Sequence, residues 1–369
     1  MKKIKVFALP SHQTEERTSG VDFARVIQPM KHLHGWKDED VEFEVTVYDM
    51  TKQTTEPDYF LDIAKNHDII FFNYIANPWG FAHMGAYARK FGTKLIMDLD
   101  DDLWDIRDDN PTASFYKKGS AELNNLSAII DEVDHVVVTN DYLKHVVMNH
   151  TNKKAKDITA INNFIDLDLY NYHPEFKDEH YIHLVYFGST THYKDLNEDE
   201  FNKALDRILS EYPNVDITTI GVWLPRLSDR WGQRYLQENG ARDIYDWISG
   251  RYREVMAKAD IVLSPLINDI YNRSKSGIKY LEYSAAGKPG VYADMRQYQE
   301  YITHGEDGYL ALNDKGWYKY IKELLDDKEK RRSVGEKAYE RVQEETIQKN
   351  VYRYGELFKK LIDNETKKV

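Results

Sequence analysis

IVLSPLINDIYNRSKSGIKYLEYSAAGKPGVYA, residues 261–293, opens on a short apolar run, passes through a polar loop and continues into a segment in which Ile278, Leu281 and Ala285 recur at helical spacing. Gly287 ends that segment as a helix C-cap does, Pro289 follows closely, and a second apolar run begins. Strand, loop, helix, strand is a βαβ unit, and its two strands run parallel. The spacing predicts the helix over 274–286. On it Lys275, Lys279 and Glu282 fall at i, i+4 and i+7 and share one face. Two lysines so placed repel each other, a cost that a bound diphosphate would remove. The helix N-terminus adds unpaired N–H groups and a positive dipole end, and Ser276 and Gly277 leave room for an anion to reach the backbone. Glu282, about two turns in, suits the two hydroxyls of a ribose. The same residues also fit a surface helix closed by a Lys279–Glu282 ion pair.

The alternation continues outward in both directions. Strands are expected over 4–9, 43–48, 68–74, 94–99, 135–139 and 158–161, with helices over 21–33, 57–66, 79–91, 120–131 and 141–149 between them. The pattern restarts with strands over 183–187, 215–220, 260–263, 289–292 and 308–312 and helices over 199–212, 250–258 and 274–286. The polar stretch 166–180, with Pro174, reads as the linker, and charged helices run from 317 to about 362. The expected fold is α/β, two Rossmann-like doubly wound domains. Residues 1–165 are expected to form the first domain, 166–345 the second, and 346–369 a helix that crosses back to the first. Ligands of such sheets bind at the carboxyl ends of the strands.

Composition narrows the function classes. The 369 residues include no cysteine, which removes disulfides, thiol catalysis and Cys-ligated zinc. The N-terminus lacks the features of a signal peptide and no apolar run reaches the roughly 20 residues of a membrane span, so a cytoplasmic location is expected. The net charge of −12 argues against nonspecific coating of nucleic acid. Richness in Lys, Asn and Tyr fits an AT-rich genome, such as a phage or a low-GC bacterium.

KYLEYSAAGKPGV (279–291) resembles the second half of the helix motif of family 4 glycosyltransferases of the GT-B fold, with Glu282 at the ribose-binding Glu. The first Glu of that motif would fall at 274, where this chain has Ser274. NRSKSGIKYLEY (272–283) is instead similar to a branch with Asn-x-x-Lys-Ser-x-x-Lys before the Glu. QYQEYITHGEDGYLALNDKGW (297–317) also resembles the group. The resemblance implies a donor site made of Asn272, Lys275, Ser276, Gly277, Lys279 and Glu282, with Lys275 and Lys279 stabilising the leaving diphosphate. It implies that Gly188 and Ser189, at the end of the strand in VYFGSTTHYKDL (185–196), approach the diphosphate, with His192 or Lys194 as the basic partner. It places Trp247 beside the nucleotide base. The co-substrate is then a nucleotide-diphosphate sugar, UDP-glucose or similar, with no cofactor and no metal.

On the acceptor side, LIMDLDDDLWDI (95–106) carries five aspartates, from Asp98 to Asp105. Clustered carboxylates raise one another's pKa, which makes one of them a candidate general base. The resemblance points to Asp100 or Asp101, which occupy the strand end where family 4 enzymes often carry a catalytically important His. Asp98-Leu99-Asp100 also looks like the Asp-x-Asp metal motif of the GT-A fold, against the two-domain pattern. Gly20 and Arg25 resemble the family's acceptor-side first loop and helix, and with Trp79 and His83 after the third strand they are acceptor-side candidates. The acceptor is open between a glycan, a small molecule and, for a phage, a hydroxymethylated DNA base, for which Lys144, His145, Lys153, Lys154 and Lys156 could track phosphates. A nucleotide-sugar epimerase or a non-catalytic sugar-nucleotide-binding protein remains the alternative on the same fold.

Overall fold

The computed structural model describes residues 1–369 apart from 13, 15–16, 49–58, 171, 173–180 and 367–369. Two six-stranded sheets organise the chain, and every strand pair in both is parallel. The first contains β1 (Lys2–Leu9), β2 (Val41–Val47), β3 (Ile69–Asn73), β4 (Lys94–Leu99), β5 (His135–Val138) and β6 (Ile158–Ala160), in the order β2-β1-β3-β4-β5-β6. The second contains β7 (Ile182–Phe187), β8 (Val215–Ile220), β9 (Tyr235–Glu238), β10 (Ile261–Ser264), β11 (Gly290–Ala293) and β12 (Tyr309–Ala311), in the order β12-β11-β10-β7-β8-β9. Counted within its own half, the second order is the dinucleotide-binding 3-2-1-4-5-6, and its order reverses between β7 and β10. That switch point sets the Gly188 loop beside the loop that follows Ser264.

Both faces of each sheet are covered, so the central strands read as continuous apolar runs and not as alternation. IIFFN of β3 and HVVV of β5 are buried at every position. Ile70, Met97 and Val136 join the core on one face of the first sheet, and Ile69, Phe71 and Ile96 join the core on the other. Full burial of such side chains stabilises by about 1.5–3 kcal/mol each before entropy is counted.

The last helix, Tyr352–Thr366, leaves the second domain and packs on the first. Its Tyr354, Leu357 and Phe358 are buried with Phe43 and Phe71, and Tyr354 stands edge-on to Phe71 at 5.9 Å. The chain therefore crosses between domains twice, and the two crossings are stitched together. Ile165 N–H donates to Glu345 O (3.1 Å) and Ile347 N–H donates to Ile165 O (2.9 Å). Gln348 Nε2 donates to Asp166 Oδ1 at 2.7 Å.

Several elements differ from the sequence expectation. The helix expected over 274–286 spans Ile278–Ala285, preceded by a separate turn at Ile270–Arg273. Lys275 thus lies in a connecting loop, and the shared helical face of Lys275, Lys279 and Glu282 is corrected to Lys279 and Glu282 alone. The helix expected over 250–258 begins earlier, as Ile244–Asp246 continuing through a π-turn at Trp247–Arg251 into Tyr252–Lys258. The strand β9 and the helix Pro225–Trp231 were not expected. The helix expected over 57–66 is seen as Tyr59–Asn66, with 57 and 58 outside the described residues. Most of the linker expected over 166–180 also lies outside them, namely 171 and 173–180. Among the described residues no helix is long and apolar enough to cross a membrane.

Candidate functional site

Two adjoining cavities lie where the domains meet. One, of about 360 Å³, is lined from the first domain by Gly20, Arg25, Asp100 and Asp101 and from the second by Lys275, Ser276, Lys279 and Glu282. The other, of about 580 Å³, is lined by Gly188, Trp247 and the 237–244 segment. Ser189, His192, Lys279 and Glu282 line both and so mark the passage between them.

The Gly188 loop sits where it does because two backbones nearly touch. Gly221 follows β8 with φ +83°, and a Cβ there would lie 2.0 Å from Gly188 O. Only glycine meets both demands. Trp247 is buried against Phe187, with ring centroids 4.6 Å apart, so its indole forms the floor of the wider cavity.

Lys279 and Glu282 begin the Ile278–Ala285 helix. Lys279 Nζ is 3.6 Å from Glu282 Oε2 and 4.4 Å from the Phe187 ring centroid. Tyr170 donates from its hydroxyl to Glu282 Oε1 at 3.4 Å. Burial works against both charges. It lowers the Lys279 pKa and raises that of Glu282, and the ion pair opposes each shift. Gly277, the helix N-cap, lies outside both cavities, because a Cβ there would meet Gln297 O at 2.5 Å. Asn272 is fully buried and also lines neither cavity. It donates to Asp195 Oδ1 (2.7 Å) and to Ile267 O (3.0 Å).

The loop before that helix is held by the first domain. Ser274, which stands where the resemblance expects a Glu, is fully buried and receives the Asp102 N–H at 3.1 Å. Its carbonyl accepts from Thr139 Oγ1 (3.1 Å) and Asn140 Nδ2 (2.8 Å). Ser276 Oγ accepts from Asn163 Nδ2 at 2.8 Å. Lys275 Nζ lies 3.3 Å from Asp101 Oδ1, and the Tyr271 hydroxyl donates to Asp101 at 3.0 Å.

On the first domain, the aspartates divide their work. Asp98 is fully buried in a two-pronged pair with Arg25, Nε to Oδ1 at 3.0 Å and Nη2 to Oδ2 at 2.8 Å. Arg25 Nη1 also donates to Ile161 O and Asn163 Oδ1, so this guanidinium braces the cavity wall. Asp102 folds back on its own loop, accepting from the N–H groups of Trp104 and Asp105. Asp100 lines the cavity. Burial, with Asp101 and Asp98 beside it, pushes its pKa up to about 7. Among the described residues no group of three His, Asp or Glu side chains is placed to hold a metal ion.

Other expected residues are not brought to the site. Trp79 is 80% exposed at the start of the Pro78–Phe91 helix, His83 is exposed on that helix, and neither lines a cavity. Lys194 is exposed and lines neither cavity. In the basic stretch 144–156, Lys153 Nζ donates to Asp131 O (3.3 Å) and to Val133 O, while His145, Lys154 and Lys156 are exposed. Sequence reasoning missed Tyr170 and Asn163, and it missed Arg107 and Asp195, which join the domains through Nη1–Oδ1 at 2.7 Å. Their partners are 88 residues apart, so no local pattern announces them.

Residues 173–341 match the family Glycosyl transferases group 1. No curated protein sequence matches the chain. Among solved structures, Anabaena HepE in complex with UDP and glucose is 13% identical, with a TM-score of 0.64 over 96% of this chain and 99% of that one. Sucrose-phosphate synthase from Thermosynechococcus elongatus is 14% identical, with a TM-score of 0.62 over 99% and 100%. A mutant of S. aureus TarM, in complex with Fondaparinux, alpha-GlcNAc-glycerol and UDP, is 13% identical, with a TM-score of 0.58 over 79% of this chain and 55% of that one. The fold of the chain is that of GT-B enzymes, and the shared fold together with the match over 173–341 supports a glycosyltransferase.

Proposed function

We propose that the chain transfers a hexose from a nucleotide-diphosphate sugar, UDP-glucose or similar, to a hydroxyl acceptor. The observation that carries this reading is the passage between the cavities. A cation, Lys279, a carboxylate, Glu282, an imidazole, His192, and the Ser189 hydroxyl meet there at the switch point of the second sheet, and the carboxylates of the first domain close the far side. The base and ribose fit the wider cavity, with the base near Trp247 and the ribose hydroxyls on Glu282. The diphosphate then lies at Ser189, His192 and Lys279, and the sugar in the smaller cavity toward Asp100.

On this reading Lys279 supplies charge to the leaving diphosphate where water is excluded, and there such stabilisation is worth most. It needs no metal and no cofactor. Bond formation joins the acceptor oxygen to the sugar C1 while the C1–O bond to the diphosphate breaks. The acceptor's proton goes to the Asp100 carboxylate if the configuration inverts, or to the departing diphosphate if it is retained. Asp100 and Asp101, which line the smaller cavity, favour an uncharged acceptor over a phosphate backbone.

The test is UDP release from UDP-glucose by the intact chain, with and without sugar acceptors. Wild type is expected to turn over, and Lys279→Ala and Glu282→Ala to lower kcat/KM by about 100-fold or more. Full activity in both variants would remove the donor assignment. Interconversion of the free nucleotide sugar without acceptor would make the protein an epimerase, and binding without turnover would make it a binding protein.

A further inference from the structure

The loop after β7 carries a histidine whose orientation is set from outside its own element. His192 Nδ1 lies 3.0 Å from Asp195 Oδ2. Asp195 is fully buried and accepts three more partners: Arg107 through Nη1 (2.7 Å) and Nη2 (3.3 Å), Asn272 Nδ2 (2.7 Å) and Ile267 N–H (3.1 Å). Burial alone would raise this carboxyl, but the hydrogen bonds from His192 and Arg107 outweigh it and hold the pKa at about 2. A carboxylate locked in its ionised form accepts a hydrogen bond from Nδ1–H and turns Nε2 away from itself. Nε2 has no partner among the described residues, and the ring lines both cavities at their junction.

We propose that Asp195 is a positioning residue that holds His192 with Nε2 toward the donor diphosphate, where the protonated imidazole donates a hydrogen bond to the leaving group. The inference rests on the donor reading above. Arg107 comes from the first domain, on the loop after β4, and also donates to Thr191 O at 2.9 Å. The histidine is therefore fully oriented when the two domains are together.

The charged groups facing His192 fix the sign of its pH response. Asp195 favours the imidazolium. Arg107, itself paired with Asp195, Asp109 and Asp269, is already neutralised by those carboxylates. Burial lowers the His192 pKa and Lys275 and Lys279 lower it further, against the pull of Asp195. The empty site thus holds a neutral ring near neutral pH. A diphosphate between His192 and Lys279 screens that lysine and adds negative charge, which brings a proton onto Nε2. Donor binding then takes up a proton and tightens as pH falls.

The experiment is calorimetric binding of UDP-glucose to the full chain between pH 6 and pH 8, a range in which its diphosphate diester keeps its charge. Wild type is expected to bind about tenfold more tightly at pH 6 than at pH 8, with net proton uptake read from buffers of different ionisation heat. His192→Gln should bind with less than twofold dependence on pH, which also separates His192 from Asp100 and Asp102, carboxyls raised to about 7 and about 6. Asp195→Asn should lose the dependence and Asp195→Glu recover part of it. Because Asp195 is buried, Arg107→Gln, which leaves the dyad in place, provides a second variant and should weaken the pH dependence without abolishing it. Binding by wild type with no pH dependence, or dependence unchanged in His192→Gln, overturns this inference and leaves the donor reading standing. No binding of UDP-glucose or of any other nucleotide sugar overturns both.

Discussion

At the scale of single residues, the site is a set of charges kept where water is scarce, and Asp100 shows what that costs. Its carboxyl has a folded pKa raised to about 7, well above the usual carboxylate value, chiefly by burial and then by Asp101 and Asp98. A raised pKa means the folded state favours the protonated form. The associated stability is present in full below the unfolded pKa, near 4, and is lost as pH rises through about 7. Asp100→Asn should therefore raise Tm relative to wild type at pH 8, by the equivalent of about 1 kcal/mol or more, and leave it nearly unchanged at pH 4. An equal shift at both pH values would remove the titration argument. Much of this chemistry was legible in LIMDLDDDLWDI, since five neighbouring aspartates cannot all ionise freely. Which of them faces the cavity was not legible from the cluster itself; the resemblance pointed to Asp100 and Asp101, and both line it. That placement depends on Arg25 reaching Asp98 from 73 residues away.

At the scale of elements, the loops at the switch point need backbones that approach closely. Gly221 is the clearest case, with φ +83° and its missing Cβ against Gly188 O. Gly35 has φ +79° with open space around it. Gly35→Ala should cost about 1 kcal/mol of stability through its backbone conformation alone and leave activity intact. Gly221→Ala should cost about 2–4 kcal/mol and weaken donor binding, because the Gly188 loop must move. Thermal unfolding and donor titration of the two variants side by side check this. Equal effects would mean that the close approach carries no weight. The strands that could be read in advance were those buried on both faces, whose apolar runs are unmistakable. β9 escaped because YLQE is a short edge strand with only Tyr235 fully buried, its ends showing no alternation. The start of the Ile278–Ala285 helix was misplaced by four residues relative to 274 because a tertiary constraint overrides local spacing. Thr139 and Asn140 hold the Ser274 and Lys275 carbonyls, and Asn163 holds the Ser276 hydroxyl, which keeps 274–276 as a connecting turn outside the helix. The Ser274 that departs from the resembling motif receives the first domain's Asp102 N–H, a role no neighbour in sequence could indicate.

At the scale of the molecule, two doubly wound domains meet across the carboxyl ends of their strands and bond directly across the gap. Thr18 N–H donates to Asp243 Oδ2 (2.5 Å), Asn110 Nδ2 to the Tyr271 hydroxyl (2.8 Å), and Arg107 to Asp195. These polar contacts stand beside an apolar one, Phe23 of the first domain edge-on to Tyr245 at 5.5 Å, in an interface that domain motion would open for ligand and close on it. The repeated strand–helix alternation made the two domains legible, but the contacts that set one against the other are long-range and were not. The central claim is that the donor occupies this gap, held chiefly by the second domain. Amide hydrogen exchange of the full chain with and without UDP-glucose tests it directly. The account predicts slowed exchange in 188–192, 240–247 and 275–282, with a smaller effect in the first-domain loop 100–110 as the domains are drawn together. Protection confined to the first domain, or none in 275–282 at a saturating concentration of a ligand shown to bind, would contradict it.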